Sequence, residues 1–184
     1  MGDEDVDVAR PVLFERLRAG DQRSTGRGDV VAVAPDAGRA KHAVRFAEMI
    51  EASFAIMHKM RPEHERAEIT EVTGKVRGKV AIVGDDVTIT GGTLIAGAAA
   101  LKEHGATEVN VFVTHALLSD DALEQIGESE IDRIVVTDSV PLDVRRRPDN
   151  MTVLSVSGLL AEAIMNVFAD DSVSAIFGGE NQLF

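Results

Sequence analysis

The sequence contains no cysteine, which excludes disulfides and thiolate chemistry and is compatible with a cytoplasmic location. It has no apolar run approaching the length of a membrane span. Its opening residues, MGDEDVDVAR, are acidic where a signal peptide is basic, so no membrane association is expected. Basic residues are scarce: 31 acidic against 19 basic residues give a formal net charge of −12, and only five of the 19 are lysine. Such a surface does not favour nonspecific binding of nucleic acid. It also repels anionic substrates unless Mg²⁺ or local basic groups compensate. The acidic excess is either an ordinary solvated surface or that of a protein suited to a high-salt cytoplasm.

At 184 residues and 45% hydrophobic content, the chain has enough material for one domain with a real core. A polar, glycine-bearing stretch, GDQRSTGRG (20–28), sets off an N-terminal helix expected near 11–19. Strand-like and helix-like segments then alternate. DVVAVA (29–34) is followed by a helix over 39–51, with Ala43, Phe46, Ala47 and Ile50 on one face. FAIMH (54–58), EITEV (68–72) and KVAIVG (79–84) read as strands, and a helix over 92–104 closes at Gly105. EVNVFVTH (108–115), RIVVTD (133–138) and TVLSVS (152–157) are further strands, with helices over 119–127 and 158–169 between and after them.

Continuous rather than alternating apolar strands imply a sheet covered on both faces, and strands separated by helices imply parallel crossovers. The expected fold is therefore α/β: a doubly wound, mostly parallel sheet with helices on both faces. The expected division is an N-terminal helix and linker (1–28), a single domain (29–177) and a tail (178–184). Ligands of such sheets bind beyond the carboxyl ends of the strands, where Pro35–Gly38, Lys59–Arg61, Asp85–Thr93 and Thr114–His115 fall.

The most informative of these stretches is GDDVTITGGT (84–93). Glycines at the start of a helix let several backbone N–H groups converge, and the helix dipole adds attraction for a phosphate. Thr90 and Thr93 can add hydroxyl donors. Carboxylates repel phosphate, so Asp85 and Asp86 call for a different part of the ligand: sugar hydroxyls that donate to them, or Mg²⁺. A sugar phosphate satisfies both ends of the loop. The spacing is neither GxxxxGK[ST] nor GxGxxG, so nucleoside-triphosphate and dinucleotide fingerprints are not supported.

This loop resembles the phosphoribosyl diphosphate (PRPP) loop of the type I phosphoribosyltransferase fold. Its flanks resemble one family within that fold, ribose-phosphate diphosphokinase, also called PRPP synthetase. The likeness runs in order through VARPVLFERL (8–17), VVAVAPDAG (30–38), AIMHKMRP (55–62) and the loop with its helix (84–109). It continues through VFVTHALLS (111–119), DRIVVTDSVPL (132–142), LLAEAI (159–164) and DSVSAIF (171–177). The resemblance implies that Asp85 and Asp86 hold ribose hydroxyls and that Thr90, Gly91, Gly92 and Thr93 hold the 5-phosphate. It implies that Asp36 lies near a Mg²⁺ at the ribose, and that Lys59 and Arg61 are the catalytic cations of a loop closing over the transferred diphosphate. His115 and Ser119 match a stretch close to nucleotide or effector phosphates. The implied reaction is transfer of diphosphate from ATP to ribose 5-phosphate, giving PRPP and AMP for nucleotide biosynthesis. Mg²⁺ is the implied cofactor and self-association the implied assembly.

The chain departs from the family's pattern in several places. Ile89 stands where the bacterial-type loop carries aspartate, and Arg39 stands at the second glycine of PD-x-GG, where it either narrows the approach to Asp36 or adds a phosphate contact. The resemblance also begins near the end of the first of the family's two domains, so a partner N-terminal domain is expected to supply much of the ATP site. Two other functions fit the same loop. One is a standalone phosphoribosyltransferase using PRPP and a base; the other is a non-catalytic module associated with PRPP synthetase.

Overall fold

The computed structural model describes residues 29–60 and 68–177; the segments expected as the N-terminal helix and linker and as the tail lie outside them. The chain divides into two compact units, one spanning residues 24–154 and the other including the segment from Ser155. In the first unit, the apolar run after Asp29 forms β1 (Val30–Ala34), buried at every residue. Asp36 then caps a single 3-10 turn, accepting a hydrogen bond of 3.1 Å from the Arg39 N–H, and α1 (Ala40–Met49) follows. β2 (Ser53–Met60) runs parallel to β1, and β3 (Glu68–Thr73) returns antiparallel at the sheet edge.

β4 (Val80–Thr88) pairs parallel with the other side of β1, and α2 (Gly92–Glu103) leads to β5 (Glu108–Ala116). α3 (Asp120–Gly127), with Ser119 as N-cap, leads to β6 (Arg133–Thr137), and β7 (Met151–Leu154) completes the sheet. The described strands form a seven-stranded sheet in the order β3-β2-β1-β4-β5-β6-β7, parallel except for β3. This is the doubly wound α/β fold that the alternation of elements implies.

Alternation along the strands sorts the two faces. Val31, Val33, Val83, Val111 and Val113 join Leu94, Ala98 and Leu101 of α2 and Leu123 and Ile126 of α3 in the main core. The opposite residues, Ala32, Ile82, Gly84 and Phe112, meet Ala43 and Phe46 of α1 around a smaller cavity. Apolar residues on both sides of each central strand explain why the runs read as continuous in the sequence.

Differences from the expected boundaries are local. β2 extends through Lys59 to Met60, and β4 extends four residues past Gly84, so Asp85 and Asp86 lie within a strand rather than after one. β7 stops at Leu154, short of the expected Ser157. In the second unit, α4 (Ser157–Phe168) presents Leu160, Ile164 and Phe168 at helical spacing, exposed to 56%, 57% and 88%.

Candidate functional site

The strand order reverses between β1 and β4: from β1 the chain winds outward to β2 and β3, and from β4 outward to β5, β6 and β7. A crevice opens at the carboxyl ends of two such strands, because their connections leave in opposite directions. Here β1 and β4 stay in register only to Val33 and Val83, whereas β4 and β5 remain paired to Thr88 and Ala116. β4 therefore outruns β1, and Asp85 and Asp86 stand on the freed edge.

Each aspartate folds back on its own strand. Asp85 Oδ1 accepts from the Asp86 N–H at 2.9 Å, and Asp86 Oδ1 accepts from the Val87 N–H at 2.8 Å. Arg39, entering from the 3-10 turn after β1, reaches both carboxylates: its Nε lies 3.4 Å from Asp85 Oδ1, and its Nη2 pairs with Asp86 Oδ1. Both aspartates thus receive a backbone amide and the Arg39 guanidinium at Oδ1. Burial pushes the Asp85 carboxyl above its ordinary value, Arg39 pulls it back down and neighbouring Asp36 pushes it further up. Asp85 is thus a carboxylate that is partly stripped of water and held by one guanidinium.

Beside the carboxylates, a cavity of 180 Å³ runs under α1, with Arg39, His42, Asp85 and Asp86 at its polar rim. Phe46 and Phe112 line it with ring centroids 5.0 Å apart and planes tilted by 51°. Gly84 makes this possible: a Cβ there would lie 2.2 Å from the Phe112 ring.

Beyond Thr88 the chain turns through Ile89 and Thr90 into α2. Gly91 takes the N-cap position at φ +69°, a left-handed conformation that glycine adopts without a steric penalty. The N-cap glycine offers no side chain; Thr90 Oγ1 accepts a long hydrogen bond of 3.4 Å from the exposed Gly92 N–H. A helix N-terminus carries amide donors and the positive end of the dipole, the chemistry that holds a phosphate. Ile89 is 63% exposed and carries no polar contact into the turn.

Asp36, Asp85, Asp86 and the Thr90–Thr93 turn are therefore brought to one end of the sheet, as expected from the sequence. Lys59 joins them through its backbone: it sits near the carboxyl end of β2, opposite Ile69, with a register shift between His58 and Lys59. Arg61 lies outside the described residues. His115 and Ser119 have separate partners: His115 Nδ1 is 2.9 Å from Ser139 Oγ, and Ser119 Oγ accepts from the Ala122 N–H at 3.3 Å to cap α3. Thr137 and Ser139, which hydrogen-bond to the Thr114 carbonyl at 2.7 and 2.8 Å, escaped the sequence reading. Their only signal was a TDS tripeptide at a strand end. The ion pairs of Arg39 with both aspartates were also unforeseen, although its place three residues after Asp36 marked it.

No group of three or more His, Cys, Asp or Glu among the described residues is arranged to hold a metal ion. Asp36 fits the habit of Mg²⁺ of taking one or two carboxylates and completing its shell with water and substrate oxygens. Asp85 and Asp86 fit it poorly, because a guanidinium already occupies the space between their Oδ1 atoms.

Residues 60–178 match the model of the phosphoribosyl synthetase-associated domain family. The chain belongs to that family. It is similar to proteins called ribose-phosphate pyrophosphokinase: 44% identical over 149 residues to that of Caldanaerobacter subterraneus, covering 81% of this chain and 47% of the relative. Against the Staphylococcus aureus protein the identity is 38% over 167 residues, covering 91% and 51%. The crystal structure of phosphoribosylpyrophosphate synthetase from Mycobacterium smegmatis superposes with a TM-score of 0.74 at 31% identity, covering 90% of this chain and 51% of that one. The chain thus spans about half the length of the relatives it matches. Among the described residues, no helix is long and apolar enough to cross a membrane.

Proposed function

We propose that this chain is the ribose 5-phosphate-binding half of a ribose-phosphate diphosphokinase. The observation that carries the reading is one continuous strand-turn-helix at the switch point, which places the Asp85 and Asp86 carboxylates and a helix N-terminus with glycine as its N-cap at the same end of the sheet. The carboxylates accept from the ribose diol, and the amides of the turn, with the Thr90 and Thr93 hydroxyls, take the 5-phosphate. The 1-hydroxyl then attacks the β-phosphorus of ATP, forming one P–O bond as the bond to AMP breaks, so that diphosphate passes to the sugar and the hydroxyl proton is released to solvent. Lys59 and Arg61 neutralise charge on the moving diphosphate, and positioning supplies most of the remaining acceleration. Mg²⁺, when bound, offsets further negative charge on the diphosphate, with Asp36 as its protein ligand.

ATP needs a second set of residues, read here as belonging to a partner domain or a second copy of the chain; the half-length match supports this reading. The exposed apolar row on α4, Leu160, Ile164 and Phe168, supports such an association. The test is AMP release from Mg-ATP by the purified chain, with and without ribose 5-phosphate. Sugar-dependent AMP that disappears in Lys59→Ala is the expected result for an assembled synthetase. Sugar-independent AMP, or release unaffected by the substitution, contradicts the reading.

A further inference from the structure

Arg39 offers a role that the reaction as proposed does not use. We infer that Arg39 is a built-in counter-cation for the Asp85–Asp86 pair, positioning both carboxylates for hydroxyls and excluding a divalent metal from them. The inference rests on the sugar-binding reading above for its ligand, but not for its metal test.

The geometry supports it in three ways. First, Nε and Nη2 of one guanidinium engage Oδ1 of both aspartates, and those same oxygens also accept the Asp86 and Val87 amides. Each carboxylate is therefore held at Oδ1 by a backbone amide and by the guanidinium. Second, Arg39 is itself anchored: its N–H is bonded to Asp36, its backbone joins the 3-10 turn to α1, and its side chain is only 28% exposed. A planar guanidinium fork held in this way is preorganised in a manner that a lysine ammonium is not. Third, guanidinium is charged at every accessible pH and cannot ligate a metal, so it occupies the position between the carboxylates permanently.

The consequence concerns charge. A sugar phosphate approaching two bare carboxylates in a chain of net charge −12 meets repulsion, which a bound divalent cation would ordinarily relieve. Arg39 relieves it from within. Binding of the sugar phosphate at this pair then needs no metal, and the metal requirement of the whole reaction falls on the diphosphate and Asp36.

Mn²⁺ serves as the probe, because its paramagnetism broadens the amide signals of any residue near it. To silence the carboxylate proposed for Mg²⁺, each ¹⁵N-labelled protein carries Asp36→Asn; titrated Mn²⁺ is then expected to leave the Asp86 and Val87 amides sharp where Arg39 is kept (wild type at position 39) at concentrations that broaden them in Arg39→Ala. Arg39→Lys, which keeps the charge but not the fork, is expected to fall between. Equal broadening in wild type and Arg39→Ala overturns the inference. In a second arm with EDTA, ribose 5-phosphate is expected to bind wild type and to bind Arg39→Ala about tenfold more weakly, with Mg²⁺ restoring the variant. Tighter binding by Arg39→Ala would identify Arg39 as an obstruction and overturn the positioning role. Absence of sugar binding in every variant, with the Mn²⁺ contrast intact, overturns the sugar-phosphate reading and leaves the counter-cation standing.

Discussion

Arg39 Nε lies 3.4 Å from Asp85 Oδ1, across the crevice between the ends of β1 and β4. That contact does not fully offset the burial of Asp85, whose carboxyl stays above its ordinary value of 3.8. The net environment therefore disfavours the charged form that sugar binding needs.

This has a pH signature. A carboxyl whose folded value is raised stabilises the fold while protonated and loses that contribution as pH rises through the folded value. Above the raised value the carboxyl is ionised, and its unfavourable environment is fully felt. Asp85→Asn is therefore expected to melt at a higher temperature than wild type above that value. The gap should close as pH falls through the raised value toward 3.8. Thermal melts of both proteins across this range check it; a gap that widens as pH falls contradicts the assignment.

Gly84 and Phe112 are paired across β4 and β5, and the ring occupies the space where a Cβ would stand. Gly84→Ala is expected to cost about 1–3 kcal/mol through overpacking. Gly84→Ala with Phe112→Leu should recover part of the loss, since removing the ring frees the space. Urea denaturation of the single and double variants measures the coupling, and strict additivity would show that the two residues act independently.

At Gly91 the backbone rather than the packing is decisive, although Ile126 would also stand 3.1 Å from a new Cβ. Gly91→Ala is expected to cost about 1–2 kcal/mol for the left-handed conformation. Gly91→Asn should cost less, because asparagine visits that conformation more readily. Both variants should bind inorganic phosphate more weakly if the turn moves; an unchanged phosphate affinity would remove the turn from the anion site.

Much of the fold could be read from residue patterns, because both sides of the central strands are apolar. Val31 and Val33 face α2 and α3 while Ala32 meets α1, and this double burial produces the continuous run VVAVA. The carboxylate pair and the glycine turn were equally legible, since they are adjacent in sequence. The strand boundary was not. Two adjacent aspartates, depleted in strands, hide the strand character of the Val87 and Thr88 that follow, and the continuation past Gly84 depends on pairing with Val113, His115 and Ala116 of β5, about thirty residues away. The Arg39 clamp was hidden for the same reason: it joins side chains whose separation of 46 residues is bridged only by the β1–β4 pairing. Sequence order placed His115 beside Ser119, whereas the fold gives one a partner on the loop after β6 and the other a capping role.

The central claim is that Asp85–Thr93 forms one sugar-phosphate site. The most direct measurement is titration of ribose 5-phosphate into the ¹⁵N-labelled chain, followed through backbone amide shifts, with ribose and inorganic phosphate as separate probes. The account predicts saturable shifts at the Asp86, Val87, Gly91, Gly92 and Thr93 amides with the sugar phosphate, the phosphate alone moving chiefly the last three. Shifts confined to other residues, or no shift at millimolar sugar phosphate, would contradict it.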